Sequence, residues 1–212
     1  MGMLAGALQT SGAVLVAAAA HGYEEPRFEV VRTTGEFEMR EYAPQLVAET
    51  QVDGEFNRAR REAFRRLFDY ISGGNEDTAA VPMTAPVTSQ SQGRKIAMTV
   101  PVTSTLEGRS HVMRFTLPST FTPATAPKPR DPRVRLVQVE ARLVAVRSFS
   151  GRSSEANFLE NQQALLEALR ASGIEPAGTP LFAVYDAPWT PWFMRHNEVL
   201  VEVELPRHVR MG

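Results

Sequence analysis

Two stretches of this chain have the periodicity of an amphipathic helix, and the other patterned segments alternate like strands. In residues 56–71, apolar side chains recur at steps of three and four, and arginines fill much of the opposite side. A second helix is predicted over residues 154–172, with a serine at its N-cap and Gly173 just beyond its end. Because strand patterns surround both helices, their apolar faces are expected to pack on a sheet, which predicts an α+β fold.

The strand pattern divides into two halves. Residues 28–32 and 37–42 alternate with a period of two and are joined near Thr34 and Gly35, which predicts a hairpin. Further strands are predicted at residues 46–52, 81–89, 95–103, 111–117, 134–140, 143–149, 181–185 and 198–204. The order of strands, helix and strands occurs twice, so we expect a distorted antiparallel β-barrel of two related halves, each with one flanking α-helix. We expect the proline-rich residues 122–132 to form a surface connection, because repeated proline cannot supply donors to a sheet ladder.

The composition argues against several functional classes. The 23 Lys and Arg side chains balance 24 Asp and Glu side chains, so no net positive charge favours nucleic acid. There is no cysteine, which excludes disulfides, thiolate metal ligands and a cysteine nucleophile. A length of 212 residues suits a single domain, which we place at residues 23–206, followed by a short tail at 207–212.

The first 22 residues contain no charged side chain. The apolar run at residues 13–20 ends in alanines before His21, which is typical of a signal peptide and its cleavage site, although no Lys or Arg precedes the run. Glutamine, threonine and serine make this stretch a poor membrane span. We therefore expect residues 1–22 to be a signal peptide on a periplasmic or secreted protein, or otherwise a disordered segment on a cytoplasmic one.

A six-residue pattern occurs twice. Residues 83–88 read Met-Thr-Ala-Pro-Val-Thr, and residues 98–103 read Met-Thr-Val-Pro-Val-Thr. Each proline removes a ladder donor, so both copies are expected on irregular or edge strand where Met83 and Met98 can face the interior. Methionine fills irregular gaps and packs well against flat rings.

The first of these copies is followed by further motifs in a fixed order. They are Phe-Thr-Leu-Pro at 115–118, Val-Arg-Ser-Phe-Ser-Gly at 146–151, Tyr-Asp-Ala-Pro at 185–188 and Arg-His-Asn-Glu-Val at 195–199. With this ordered set the chain resembles the SOUL/haem-binding protein family over residues 28–204. The resemblance implies a fold similar to gyrase-inhibitor-like effector-binding domains and non-covalent binding of haem or free porphyrin. It places the pocket beside the first helix, at Arg61, Phe64 and Phe68.

The residue types agree with this placement. A porphyrin needs flat apolar walls and a cation for its carboxylates, and Arg61, Phe64 and Phe68 lie within two turns of one helix. The residues predicted to bind the cofactor are Arg61, Phe64, Leu67, Phe68, Met83 and Met98. The alternative is that the phenylalanines of this helix are plain core and that Arg61 is solvated.

Axial ligation of a haem iron has less support in the sequence. The resemblance matches the ligand histidine proposed for one relative to Glu41, so that ligand is absent here. The remaining candidates are His111, His196, Tyr42 and the two strand methionines, because histidine, tyrosine and methionine all serve as axial ligands elsewhere. We expect His196 to form a structural hydrogen bond and the haem to be held by apolar walls.

The leading prediction is a protein that binds haem or a related tetrapyrrole for transport, buffering or sensing. The partner is a small, planar, apolar ligand, and we expect neither nucleic acid nor a transmembrane span in the domain. No phosphate loop, dinucleotide fingerprint or nucleophile-elbow motif occurs. One alternative is an enzyme that acts on an apolar ligand with Glu41, Tyr42, Asp186 or Glu198 as acid and base. Another is an interaction module without a ligand.

The aromatic run at residues 189–193 lies between prolines and forms a rigid apolar loop. We expect this loop to cap one end of the barrel. Rimming the ligand mouth and contacting a membrane surface are the alternatives.

Overall fold

A computed structural model describes residues 23–77, 93–107 and 110–204 of the chain. In these residues, nine strands form one antiparallel sheet and two short strands form another. The elements in chain order are β1 (Phe28–Thr33), β2 (Glu38–Tyr42), β3 (Gln45–Asp53), α1 (Phe56–Ile71), β4 (Asn75–Glu76), β5 (Val102–Glu107), β6 (Ser110–Thr116), β7 (Lys128–Pro129), β8 (Val134–Val139), β9 (Arg142–Phe149), α2 (Glu155–Ala171), β10 (Leu181–Val184) and β11 (Asn197–Glu202). The predicted strand at 81–89, which includes Met83, and the terminal segments 1–22 and 207–212 lie outside the described residues.

The two helices begin and end within a residue of their predicted limits. The carboxylate of Glu55 accepts hydrogen bonds of 2.9 and 3.0 Å from two backbone N–H groups in the first turn of α1 and so caps it. Gly73, with a φ of 116°, follows the last turn of α1. Ser154 caps the start of α2, and Gly173 follows its end with a φ of 66°. No helix among the described residues is both long and apolar enough to cross a bilayer.

Each helix packs on one half of the large sheet. The strand order is β1-β2-β9-β11-β10-β5-β6-β3-β8, and the sheet curls into a half-barrel. Helix α1 lies on β3, β6 and β8 and buries Ala63 and Leu67 there, whereas α2 lies on β9 and β11 and buries Phe158 and Leu165. The two halves join where β10 pairs with β5. The predicted α+β fold, with one helix on each half, is confirmed.

The predicted strand at residues 95–103 is mostly wrong, because β5 begins only at Val102. Pro101 has no N–H to donate, and the N–H of Ile96 donates to the carbonyl of Ile71 at the end of α1 rather than to a strand of the large sheet. The residues before β5 therefore form an irregular segment against the helix end. This agrees with the irregular backbone that the second Met-Thr-Val-Pro-Val-Thr copy predicts.

The proline-rich segment 122–132 is not wholly a surface connection. Within it, Lys128–Pro129 pairs with Asn75–Glu76, as β7 with β4. A ladder of two residues needs few donors, so a proline in it is tolerated, and the N–H of Arg130 donates to the carbonyl of Gly74 at 3.1 Å. The segment is thereby anchored to the chain that leaves α1.

Candidate ligand-binding site

The exposed aromatic pair on α1 consists of Phe64 and Phe68. Their ring centroids are 5.9 Å apart and their planes differ by 12°, so the two rings, one turn apart, stack nearly parallel. Phe64 also contacts the ring of Phe115 on β6 edge-on, at 5.3 Å between centroids. Despite these contacts, 37% of Phe64 and 49% of Phe68 remain exposed. The pair is therefore an apolar surface that stays open to solvent at the edge of the core.

Arg61 lies one turn before Phe64 on the same side of α1. Its side chain is exposed and forms no hydrogen bond or ion pair with any residue that the structure describes. A guanidinium in this position is available to a ligand carboxylate. The structure thus places Arg61, Phe64 and Phe68 together on one exposed helix face.

Two other predicted binding residues belong to the core of this half. Leu67 is fully buried, and Met98 is partly buried and packs against the same apolar cluster. Leu67 therefore holds α1 on the sheet and offers no surface to a ligand, whereas Met98 keeps some exposed surface. The sixth predicted residue, Met83, lies outside the described residues.

His111 is near the start of α1, away from the aromatic pair. It is buried on β6, and its ring contacts Phe56 edge-on at 5.3 Å between centroids. Phe56 and Phe64 are eight positions apart, which is a rise of about 12 Å along the helix. Burial also lowers the pKa of His111. An iron centred over Phe64 and Phe68 would lie too far from His111 for coordination.

Two further axial candidates, the buried Tyr42 and the exposed His196, belong to a polar cluster around the buried Glu198. His196 Nε2 lies 3.1 Å from Glu198 Oε1, so the structural hydrogen bond expected of His196 is present. Tyr42 accepts a hydrogen bond of 3.5 Å from Arg40 Nη1. Burial and the nearby charge of Glu198 raise the pKa of Tyr42 to about 12. Neither candidate lies on the exposed face of α1.

Glu198 is 1% exposed and is surrounded by donors. Arg40 contacts both carboxylate oxygens, at 3.2 Å from Nη1 to Oε2 and 3.0 Å from Nη2 to Oε1. The hydroxyl groups of Tyr185 and Ser148 donate to Glu198 at 2.5 and 3.0 Å. Burial acts to raise the pKa of Glu198, but the hydrogen bond with His196 and the charge of Arg40 outweigh it and lower the pKa to about 2. This carboxylate is therefore a fixed counter-ion and a poor general acid.

Sequence reasoning misses Arg40, although one signal points to it. Arg40 and Tyr42 are two residues apart on β2 and so share one face of the sheet, where Tyr42 packs in an apolar cluster. A charged residue on a buried face needs a partner of opposite charge. The partner Glu198 is 158 positions away, and only the β2-β9-β11 strand order brings the two together.

A cleft of about 440 Å³ lies elsewhere on the domain. The chain before β1, the start of β3 and the residues after β6 line it, with Arg27, Leu46, Leu117 and Phe121 among them. Of the residues predicted from the sequence to bind a cofactor or an iron, none of those that the structure describes lines this cleft. The cleft and the aromatic pair on α1 are thus separate features.

The aromatic loop between β10 and β11 does not cap the barrel. Trp189, Trp192, Phe193 and Met194 are all exposed, so the expectation of a capping role is wrong. The segment Trp192–Met194 forms a 3₁₀ turn, and the backbone N–H groups of Thr190 and Met194 donate to carbonyls of Ala187 and Pro191. Asp186 accepts a hydrogen bond of 2.5 Å from the backbone N–H of His196 and so closes the base of this loop.

The fold and the site define an α+β half-barrel with one helix on each half and an open aromatic surface on the first helix. The family model described as SOUL heme-binding protein matches residues 23–202. The chain therefore belongs to the SOUL heme-binding protein family.

Two relatives named Heme-binding protein 1, from Xenopus tropicalis and Xenopus laevis, are each 27% identical to the chain over 169 residues. The aligned residues cover 76% of this chain and 84% of each relative. These values agree with the family membership.

Solved structures with a similar fold have little sequence in common with the chain. The crystal structure of the EcmrR C-terminal domain is 10% identical with a TM-score of 0.59, and covers 81% of this chain and 98% of that one. A crystal structure of a hydrolase from Listeria innocua is 11% identical with a TM-score of 0.50, and covers 82% of this chain and 94% of that one. At this identity the likeness concerns the fold alone.

Proposed function

We propose that this chain binds haem or a related tetrapyrrole on the exposed face of α1 that Arg61, Phe64 and Phe68 form. The observation that carries the proposal is the aromatic pair, whose rings stack at 12° and are 37% and 49% exposed. Membership of the SOUL heme-binding protein family supports the ligand class. Transport, buffering or sensing of the tetrapyrrole is the role that such binding serves.

The residues on this face suit a tetrapyrrole. The exposed surface of two phenylalanine rings is removed from water when a planar apolar ligand covers it, which favours binding. Arg61, which forms no hydrogen bond or close ion pair with a carboxylate of the described residues, supplies a cation for the ligand's propionates. Met98 keeps exposed surface at the same half of the core and offers a polarisable side chain.

Binding on this face does not depend on a histidine ligand. His111 is buried against Phe56, and His196 is hydrogen-bonded to Glu198. We therefore propose non-covalent binding through apolar contacts and the Arg61 cation. A metal-free porphyrin should then bind about as well as haem, because coordination of the iron contributes little.

Titration of the full chain with hemin, followed through the Soret band, tests this proposal. We expect saturable binding that the double variant Phe64→Ala with Phe68→Ala weakens by at least about tenfold, because two aromatic contacts are lost. The matched control is Trp189→Ala with Trp192→Ala, which removes two exposed aromatic side chains elsewhere and should bind like the unaltered chain. Equal affinity in all three proteins would reject the site.

The role of Arg61 is tested separately with a ligand that lacks the carboxylates. Arg61→Gln should weaken binding of protoporphyrin but not of its dimethyl ester, because only the free acid can form the ion pair. Arg58→Gln removes another exposed arginine of α1, nearly one turn earlier, and serves as the control. An equal effect of Arg61→Gln on both ligands would contradict the proposed ion pair.

Acid–base catalysis is the alternative that the site supports least. Catalysis of this kind needs a carboxylate with a raised pKa in a cavity. The pKa of Glu198 is instead lowered to about 2 by His196 and Arg40, despite its burial, and Glu41 is exposed. We therefore propose no enzymatic step.

A further inference from the structure

The loop between β10 and β11 exposes four large apolar side chains within six residues. Trp189 is 85% exposed, Trp192 54%, Phe193 61% and Met194 65%. Single exposed apolar residues are common on protein surfaces, but a contiguous group of this size marks a contact surface. We call residues 189–194 the aromatic loop.

The aromatic loop is held in place by its own hydrogen bonds. The Arg195 guanidinium donates to the carbonyls of Thr190 and Pro188, at 2.8 and 2.5 Å. The backbone N–H of Met194 donates to the carbonyl of Pro191 at 2.9 Å. Because the backbone is already ordered, little conformational entropy is lost when the exposed side chains meet a partner.

Two arginines lie near the base of this loop. Arg195 directly follows the loop, and Arg60 contacts Ser153, whose hydroxyl donates to Asn197 at the start of β11 at 2.8 Å. Arg60 donates to the carbonyl of Ser153 at 2.6 Å, and Arg195 donates to loop carbonyls. Neither forms an ion pair with a carboxylate in the part of the chain that the structure describes. The acidic residue nearest to Arg195 in sequence is Glu198, whose carboxylate is buried and bound to Arg40. The base of the loop therefore favours an anionic partner.

We propose that the aromatic loop docks on the surface of an anionic phospholipid bilayer. Tryptophan is the side chain that best suits the boundary between headgroups and acyl chains, because its ring is apolar and its N–H stays hydrated. Phe193 and Met194 extend the inserted apolar surface, and Arg195, whose guanidinium is bonded to the loop, supplies a cation for lipid phosphates. A second copy of the chain suits this surface less well, because it would bring a like-charged pair of arginines into the contact.

The chain offers a direct reporter, because its only two tryptophans are Trp189 and Trp192, both in the aromatic loop. Tryptophan emission of the full chain is recorded with vesicles of phosphatidylcholine and phosphatidylglycerol, and with vesicles of phosphatidylcholine alone. We expect a shift to shorter wavelength and quenching by brominated lipid, both stronger with the anionic vesicles. Phe193→Ser with Met194→Ser keeps the reporter and should weaken vesicle binding by at least about tenfold, because its apolar area is removed.

Matched variants separate this proposal from tetrapyrrole binding. Phe64→Ser with Phe68→Ser should bind vesicles like the unaltered chain, and the Phe193 and Met194 variant should bind hemin like the unaltered chain. Emission that does not change with either vesicle would overturn the proposal, as would co-sedimentation with vesicles without an emission shift, since another segment then makes the contact. An emission shift that depends on protein concentration without vesicles would assign the loop to self-association instead.

Discussion

Arg40 and Glu198 form a two-point ion pair between β2 and β11, with both guanidinium–carboxylate contacts between 3.0 and 3.2 Å. Both residues are buried, at 7% and 1% exposure, on strands that do not pair with each other. Strand β9 lies between them, so the ion pair crosses β9 and fixes the relative placement of these three strands. Two buried charges of this kind depend on each other, because either one alone is costly in a low-dielectric interior.

Glu198→Gln removes the buried carboxylate of this pair and leaves Arg40 with one carboxylate contact, to the partly exposed Glu38 at 2.8 Å. We expect the free energy of unfolding to fall by about 2–3 kcal/mol, measured by chemical denaturation, because the donors around position 198 lose a charged acceptor. The control is Glu202→Gln on the same strand, where the half-exposed carboxylate pairs with Arg142 at 2.9 Å. Loss of that pair should change the free energy by less than about 1 kcal/mol. Similar losses of unfolding free energy in the two variants would show that the buried ion pair contributes no more to stability than the half-exposed one.

The polar cluster around Glu198 makes the free energy of unfolding depend on pH both in the acidic range and above neutrality. The lowered pKa of Glu198, about 2 against an ordinary 4.5, means that its contribution is complete above pH 4.5 and is lost as the pH falls towards 2. The hydrogen bond to Glu198 raises the pKa of His196 above its ordinary 6.5, although burial opposes this. The contribution of His196 is therefore complete below pH 6.5 and is lost as the pH rises through the raised pKa.

Denaturation across this pH range with His196→Gln tests the second half of that prediction. The difference in unfolding free energy between the unaltered chain and the variant should be largest below pH 6.5 and shrink above it. His111 supplies a contrast, because burial lowers its pKa, so its contribution is lost as the pH falls below 6.5. A difference for His196→Gln that stays constant with pH would contradict the assigned hydrogen bond.

Leu67 and Phe68 are adjacent on α1, but substitutions at the two positions should have opposite effects. A change at Leu67 should mainly lower stability, and a change at Phe68 should mainly lower hemin affinity. Leu67→Ala leaves a cavity in the core and should lower the free energy of unfolding by about 2–5 kcal/mol. Phe68→Ala removes a side chain that is half exposed, so we expect the free energy of unfolding to fall by only about 1 kcal/mol. Hemin affinity, measured on the folded fraction, should fall in Phe68→Ala and stay nearly unchanged in Leu67→Ala. The reverse pattern would assign Phe68 to the core and not to the ligand surface.

Asn75 anchors the end of α1 to the irregular segment before β5. Its amide nitrogen donates to the carbonyls of Tyr70 and Arg94, at 2.7 and 2.8 Å, and its amide oxygen accepts from the N–H of Arg94 at 2.9 Å. Asn75→Asp keeps the shape but sets an acceptor against two carbonyls, so unfolding should become easier by about 2–3 kcal/mol. Asn57→Asp, exposed in the first turn of the same helix, should be neutral or slightly stabilising in thermal denaturation. A neutral Asn75→Asp would show that this anchor is unimportant.

Elements whose signals are local could be read from the sequence, and α1 is the clearest case. Its apolar spacing and the glycine after it are contained in the helix and its flanks, so the limits 56–71 agree with the structure. The irregular residues before β5 have strand-like composition, and only their contact with the end of α1 shows that they leave the sheet. The pairing of β4 with β7 joins segments more than 50 residues apart and has no local signal.

The residues of the candidate site could be predicted from the sequence for a similar reason. Arg61, Phe64 and Phe68 share one helix, so their spacing predicts a common face, but whether that face is buried depends on which strands cover it. The exposure of Phe64 and Phe68 is a property of the packed domain. The same holds for the aromatic loop, whose composition suggests packing whereas its hydrogen-bonded backbone leaves Trp189 in solvent.

The site itself is tested most directly by NMR with metal-free protoporphyrin, whose ring current shifts nearby nuclei strongly and decays over a short distance. The amide signals of residues 61–68 and the methyl signal of Met98 are compared before and after addition of the porphyrin. We predict that the largest shifts fall on these signals. Shifts concentrated at the cleft near Leu117 or at the Glu198 cluster, or no shifts at all, would contradict tetrapyrrole binding on α1.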